Sequence, residues 1–158
     1  MQNSTFKLTK YFPEIVDGIN LREEQQDWYD NEEQLKGHAR ILYRSSMFAR
    51  TLTFEGKIVA CLGAYKCWGK VFEAWMLVDK NAPEIFKAHP VKMTKEIKRI
   101  MDMFPKTADR LQTHVKADFK MGRKFVEMLG FENEGLSRKW GPRGDDYIQY
   151  AKVKQEDK

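Results

Sequence analysis

The sequence has little of what small proteins use as staples. Among 158 residues there are two cysteines, three histidines and five prolines. Cys61 and Cys67 are separated by five residues in a strand-and-turn stretch, with no second Cys or His pair to complete a zinc site. They read as two reduced, partly buried thiols. His38, His89 and His114 are scattered without ligand spacing, so no metal is expected. No apolar run approaches the roughly 18 residues that span a bilayer, and Met1–Lys10 has no signal-peptide apolar core. The expectation is a soluble intracellular globule with no membrane partner. The chain also lacks a Gly-x-Ser-x-Gly elbow, a Gly-Lys-Ser/Thr phosphate loop and a His-Glu-x-x-His pair. Repeats, low-complexity tracts and Gly/Ser linkers are missing too, so residues 1–158 read as one domain.

What is present is apolar material and charge. Hydrophobic residues make up 42% and aromatics 13%, too much for a disordered chain. Net charge is +5, but unevenly spread. Residues 14–34 carry eight acids (Glu14, Asp17, Glu23, Glu24, Asp27, Asp30, Glu32, Glu33) against Arg22 alone, whereas residues 87–143 carry 14 Lys or Arg against seven acids. A basic half favours an anionic partner: a phosphorylated cofactor, nucleic acid or an acidic protein surface. The plainer alternative is a pair of solvated faces.

Periodicity divides the chain into a front segment, 1–46, a core, 47–153, and a frayed tail, 154–158. Thr5–Thr9 reads as a first strand, Pro13 to Gly18 as a short helix, and Leu21–Trp28 and Glu32–Ser46 as helices. Met47–Thr53, Lys57–Ala64 and Val71–Val78 read as an antiparallel meander turned by Glu55-Gly56 and Trp68-Gly69-Lys70. Pro90–Phe104 is an amphipathic helix with Met93, Ile97, Ile100, Met101 and Phe104 inward and Lys92, Lys95, Lys98 and Arg99 outward, ended by Pro105. Leu111–Val115 follows as a strand, then a helix over Lys120–Leu129 with Met121, Phe125, Met128 and Leu129 inward, stopped by Gly130. Gly135–Trp140 and Tyr147–Val153 close the chain as a hairpin around Gly141-Pro142-Arg143-Gly144. This order gives an α+β fold: a mixed sheet of six to seven strands with helices on both faces. The strands flanking the Pro90 helix should be parallel neighbours.

That order, with the segment from Lys124 through Leu129-Gly130-Phe131 to Glu134-Gly135, resembles the GNAT N-acetyltransferases over about Met47 to Val153. The stretches Trp75-Met76-Leu77-Val78, His89-Pro90 and Val115 to Phe131 also resemble a phage-encoded branch of that fold. This branch holds acetyltransferase-like proteins and a small internal virion protein. The resemblance implies transfer of an acetyl group from acetyl-CoA to an amine of unknown identity. It also implies an alternative, a catalytically degenerate virion or interaction protein whose partners are phage structural proteins. Its location would be host cytoplasm or virion. A nucleic-acid-binding module, resting on charge alone, is a third reading.

In this fold acetyl-CoA would lie in a splay between the two parallel strands, its pantetheine pairing with Met76, Leu77 and Val78. Its pyrophosphate would sit on backbone amides of the following turn, with Lys87 and Lys92 adding charge. The matching stretch, Asp79 to Pro90, contains no glycine and carries Asp79 and Glu84. The position where the family commonly has a general-acid Tyr is Val126, beside Phe125. Candidate catalytic residues are therefore Glu73 as base for the incoming amine, His114 as a second base, and Tyr147, which with Tyr150 lies on the last strand. Each has a plainer reading: Glu73 in solvent or paired with a Lys, His114 as a satisfied core histidine, the tyrosines as structural aromatics.

Overall fold

A computed structural model describes residues 5–104 and 106–155. Seven strands form one mixed sheet in the order β1-β2-β3-β4-β5-β7-β6. The strands are β1 (Phe6–Lys10), β2 (Ser46–Phe54), β3 (Lys57–Trp68), β4 (Val71–Val78), β5 (Arg110–Lys116), β6 (Glu132–Ser137) and β7 (Tyr147–Val153). The helices are α1 (Glu23–Gln26), α2 (Glu32–Ser45), α3 (Ala82–Ala88), α4 (Pro90–Asp102) and α5 (Lys120–Met128), with a 3₁₀ turn at Pro13–Gly18. The chain divides into two compact units, 1–65 with 75–103 and 66–74 with 104–158.

In the first unit, β1 pairs with β2 from Phe6↔Phe54 to Lys10↔Arg50, and β2 pairs with β3, both antiparallel. The β2–β3 turn works because Glu55 and Gly56 both take positive φ, 51° and 81°, the backbone twist a tight hairpin needs. The interior is built from Tyr11, Val16, Ile19, Leu21, Ala39, Leu42, Cys61 and Leu77, with Trp75 packed against it. Trp75 donates its indole N–H to Ser46 Oγ at 2.8 Å. Gly63 makes room for it: a Cβ there would lie 2.8 Å from the indole and 2.3 Å from Phe48 O.

In the second unit, β4 and β5 are parallel in register from Val71↔Arg110 to Glu73↔Gln112. β5 pairs antiparallel with β7 along its whole length, and β6 pairs with β7 on the other side. Phe72, Leu111, Leu129, Phe131, Ile148 and Tyr150 are buried here.

Several elements differ from the sequence expectation. The helix read over Leu21–Trp28 shrinks to Glu23–Gln26, because Leu21 is taken into a β-bridge with Asp79. Ala82–Ala88, read as loop, is helical, with Pro83 in its first turn where a missing N–H costs nothing. β3 runs four residues past Ala64, from Tyr65 to Trp68. The strand expected over Gly135–Trp140 lies instead over Glu132–Ser137, because residues from Arg138 on form the turn that leads to β7. Met128, expected inward, is 51% exposed at the end of α5, where the inward position passes to Leu129. Pro105 and residues 156–158 of the tail lie outside the described residues.

Candidate functional site

The polar groups of interest fall in two places, one in each unit. The first is the end of β4. Asp79 gives its N–H to Val59 O of β3. Alternation along a strand therefore turns the backbone groups of Met76 and Val78 to the other edge. There the chain itself supplies the partners. The carboxamide of Gln25 donates to Met76 O at 2.5 Å and accepts from Val78 N–H at 2.7 Å. Arg22 N–H donates to Val78 O, and Lys80 N–H to Asn20 O. Asn20–Arg22 thus lies beside the end of β4, bridged at Leu21↔Asp79, and Gln25, in the short helix α1 that follows, adds its carboxamide where a peptide group would stand.

The turn after β4 is closed in the same way. Asp79 is 6% exposed, and its two carboxylate oxygens accept the backbone N–H groups of Asn20 and Asn81, each at 2.9 Å. Ala82 N–H goes to Asp79 O, and Pro83 has none. Glu84 and Ile85 N–H both go to Asn81 O. Every backbone N–H from Asp79 to Ile85 therefore has an acceptor within the chain. An internal carboxylate holds the place an anionic ligand would take on such a turn. Lys87 and Lys92 are exposed on α3 and in the first turn of α4. Leu77 is buried in the core of this unit.

The second place is a polar strip on one face of β5, where residues 110, 112 and 114 alternate with buried Leu111. Glu134 takes both guanidinium arms of Arg110. That ion pair holds the Glu134 carboxyl below the usual carboxylate range and raises Arg110 further. Arg110 Nε donates to Gln112 Oε1 at 2.8 Å, and Gln112 Nε2 donates to Glu73 Oε2 at 2.9 Å. The other oxygen, Glu73 Oε1, is 3.7 Å from His114 Nδ1, an ion-pair distance rather than a hydrogen bond. His114 Nδ1 is buried and makes no hydrogen bond. The ring stacks on Trp140 at 4.0 Å and 8°, and Trp140 lies 5.1 Å from the ring of Tyr147. Tyr147 is itself buried, and Tyr150 OH sits between Arg123 Nε and Glu127 Oε1.

Glu73, His114 and Tyr147, picked separately from the sequence, are thus joined in this strip, the last through Trp140. Glu73 is held by Gln112, a partner that was not expected. Gln25, Gln112, Arg110 and Trp140 were not singled out. Gln25 reaches β4 across 51 residues, and nothing local in the sequence encodes that. Asp79 did carry a signal: an Asp followed two residues later by Asn, after a strand, is the pattern of a side chain closing its own turn. Among the described residues no group of three His, Cys, Asp or Glu is placed to hold a metal ion, and no helix is long and apolar enough to cross a membrane.

No family model matches the sequence, and no curated protein matches it. The fold is nevertheless shared with solved acetyltransferases. A GNAT-family acetyltransferase from Bacillus anthracis is 13% identical with a TM-score of 0.67, each chain covered over 96%. The ribosomal-protein-S5-alanine acetyltransferase from Vibrio fischeri is 14% identical with a TM-score of 0.69, covering 97% of this chain and 95% of its own. A ribosomal L7/L12 alpha-N-protein acetyltransferase, solved in complex with coenzyme A, is 13% identical with a TM-score of 0.68 over 96% of this chain and 95% of its own. The chain has the GNAT acetyltransferase fold.

The groups at the end of β4 do not fit coenzyme A in this arrangement. The amide positions on the strand edge and the N–H groups of the following turn are all committed within the chain.

Proposed function

We propose that this protein is a binding or interaction component built on the acetyltransferase fold, with its cofactor site filled by its own side chains. The observation that carries this reading is the pair Gln25 and Asp79. A carboxamide stands where the fold would offer strand edge to an amide ligand, and a buried carboxylate stands where it would offer amides to phosphate. The resemblance of Trp75–Val78 and Val115–Phe131 to the phage branch supports the same reading, with phage structural proteins as partners and virion or host cytoplasm as location.

A second reading, acetyl transfer from acetyl-CoA to an amine, is favoured by the Glu73–His114 contact. A carboxylate with one oxygen fixed by Gln112 and the other facing an imidazole suits withdrawal of a proton from an acceptor ammonium. It requires the Asn20–Gln25 segment to leave β4 first.

Thermal unfolding with millimolar acetyl-CoA separates the two. A ligand at 100 times its Kd adds about 2.7 kcal/mol, which is roughly 5–10 °C for a chain of this size. The expected result is no shift. A shift of that size, absent with adenosine diphosphate alone, overturns the first reading and installs the second.

A further inference from the structure

An open cavity of about 320 Å³ lies beside the segment that closes β4, lined by Trp28, Tyr29, Gln34 and His38. Its construction follows from two short runs of sequence. Trp28 and Tyr29 leave α1 in a turn held by N–H bonds to Gln25 O and Gln26 O. Gln34 and His38 are four residues apart, and so share one face of α2. Tyr29 OH and His38 Nδ1 share a hydrogen bond of 2.7 Å, which ties the two runs together. The Tyr29 and His38 rings lie 5.6 Å apart. Gln34 closes the rim, its carboxamide accepting from Asp30 N–H at 2.8 Å and donating to Asp30 Oδ2 at 3.2 Å.

The walls are neutral and the rim is acidic. Burial pushes Tyr29 up to about 12, so it stays a phenol. Although part of His38 faces solvent, packing around the ring lowers it from the ordinary imidazole value, which favours the uncharged form at neutral pH. Around them lies the most acidic stretch of the chain, where Arg22, the lone base, sits 3.6 Å from Glu24. Aromatic faces carry negative quadrupole potential, and they attract organic cations whose hydration is weak. A cavity at the small end of the ligand-site range, with aromatic walls and one polar edge, suits a compact headgroup.

We propose that this cavity is a binding site for a small organic ammonium ion, held by the faces of Trp28 and Tyr29 and by the negative field of Asp30 and its acidic neighbours. The site lies wholly within the first unit and uses none of the β4 edge groups.

The test uses the full ¹⁵N-labelled chain and follows the indole N–H resonance that Trp28→Phe removes. Choline chloride is titrated at constant ionic strength, and in parallel its uncharged isostere 3,3-dimethylbutan-1-ol. The expected result is a saturable shift with choline and a midpoint about fivefold higher, or no saturation, for the alcohol. Asp30→Asn, at an exposed position, should raise the choline midpoint while leaving the alcohol's unchanged. Equal midpoints for the two probes would make the cavity merely apolar and overturn the proposal, as would failure of choline to saturate. Trp28 is 41% exposed, so Trp28→Ala should fold. Unchanged choline binding to it by calorimetry would equally overturn the assignment.

Discussion

The two polar regions of this molecule are finished to different degrees. At the end of β4 every exposed-looking valence has been filled from within: a carboxamide on the strand edge, a carboxylate in the turn, a bridged segment alongside. On the face of β5 the chain of donors and acceptors from Glu134 through Arg110 and Gln112 to Glu73 stops one contact short, leaving His114 Nδ1 buried without a hydrogen bond. A satisfied network is structural until something displaces it, whereas an unsatisfied buried group costs stability and is where function or a rearrangement is to be sought. On a fold whose solved relatives are acetyltransferases, the region expected to be open is the closed one.

If the closure is structural, removing it must cost heavily. Asp79→Ala removes the charged acceptor of two part-buried hydrogen bonds, from Asn20 and Asn81 N–H, at about 3–5 kcal/mol. That corresponds to roughly 6–20 °C in Tm. Asp79→Asn keeps one acceptor oxygen and should lose about half as much. A loss under about 1 kcal/mol in Asp79→Ala, read by urea unfolding, would mean that the turn is held by something other than this carboxylate.

The two cysteines carry the comparison to pH. Cys61 is fully buried in the first unit beside Thr51 Oγ1, and burial pushes its thiol from 9.0 up to about 11. Because the folded value lies above the unfolded one, this contribution is complete below pH 9 and disappears as pH rises through 11. It is worth about 2–3 kcal/mol across that window. Urea stability measured at steps over this range should fall accordingly, and Cys61→Ala should make the fall shallower, the rest of the limb belonging to Tyr11 and Tyr29, whose phenols burial also raises. Cys67, in the second unit, is only partly buried. A disulfide reagent at pH 8 should label Cys67 quickly and spare Cys61; two fast thiols would contradict the packing of the first unit.

Gln25 is the smaller half of the closure. Its two hydrogen bonds are neutral and only partly buried, so Gln25→Ala should cost about 1–2 kcal/mol. The informative readout is acetyl-CoA. If Gln25 is all that blocks the edge, the variant should gain a thermal shift with the cofactor that the unaltered chain lacks. If the variant stays silent, the committed amides from Asp79 to Ile85 suffice to exclude it.

How much of this was legible in the sequence follows from the range of the interactions involved. The succession of strands along the chain and the parallel β4–β5 pair could be read because they rest on periodicity and on turn residues such as Glu55-Gly56, whereas the place of β7 between β5 and β6 in the sheet was not read. Leu129-Gly130-Phe131 pointed to the fold in another way, by its resemblance to a motif of the acetyltransferases. The helix at Ala82–Ala88 was missed because Pro83 reads as a breaker when its place in a first turn is unknown. The site was legible only as separate residues. Glu73 and His114 fell on neighbouring strands, as a pairing register allows. Gln112, which fixes Glu73, and Trp140, which covers His114, come from positions that nothing local marks. Of the self-closure of β4 only the Asp79 turn carried a signal, since a glutamine in an acidic front segment has no signature for a strand 51 residues away.

The sharpest test of the comparison is the one with the smallest expected effect on stability. His114 contributes a flat ring stacked on Trp140 and a buried nitrogen with no hydrogen-bond partner. Replacing it by Phe keeps the ring and the stack while removing the orphaned nitrogen. Exchanging a polar group that is not hydrogen-bonded for an apolar one of similar shape is close to neutral or stabilising. His114→Phe should therefore change stability by less than about 0.5 kcal/mol. A loss well above 1 kcal/mol would show that the 3.7 Å contact to Glu73 is a working ion pair, and that the strip on β5 is as complete as the closure on β4. If the protein is found to acetylate an amine, the same variant becomes decisive in another way. A neutral effect on unfolding together with loss of turnover would place His114 in the chemistry, because a residue kept only for packing would not separate the two readouts.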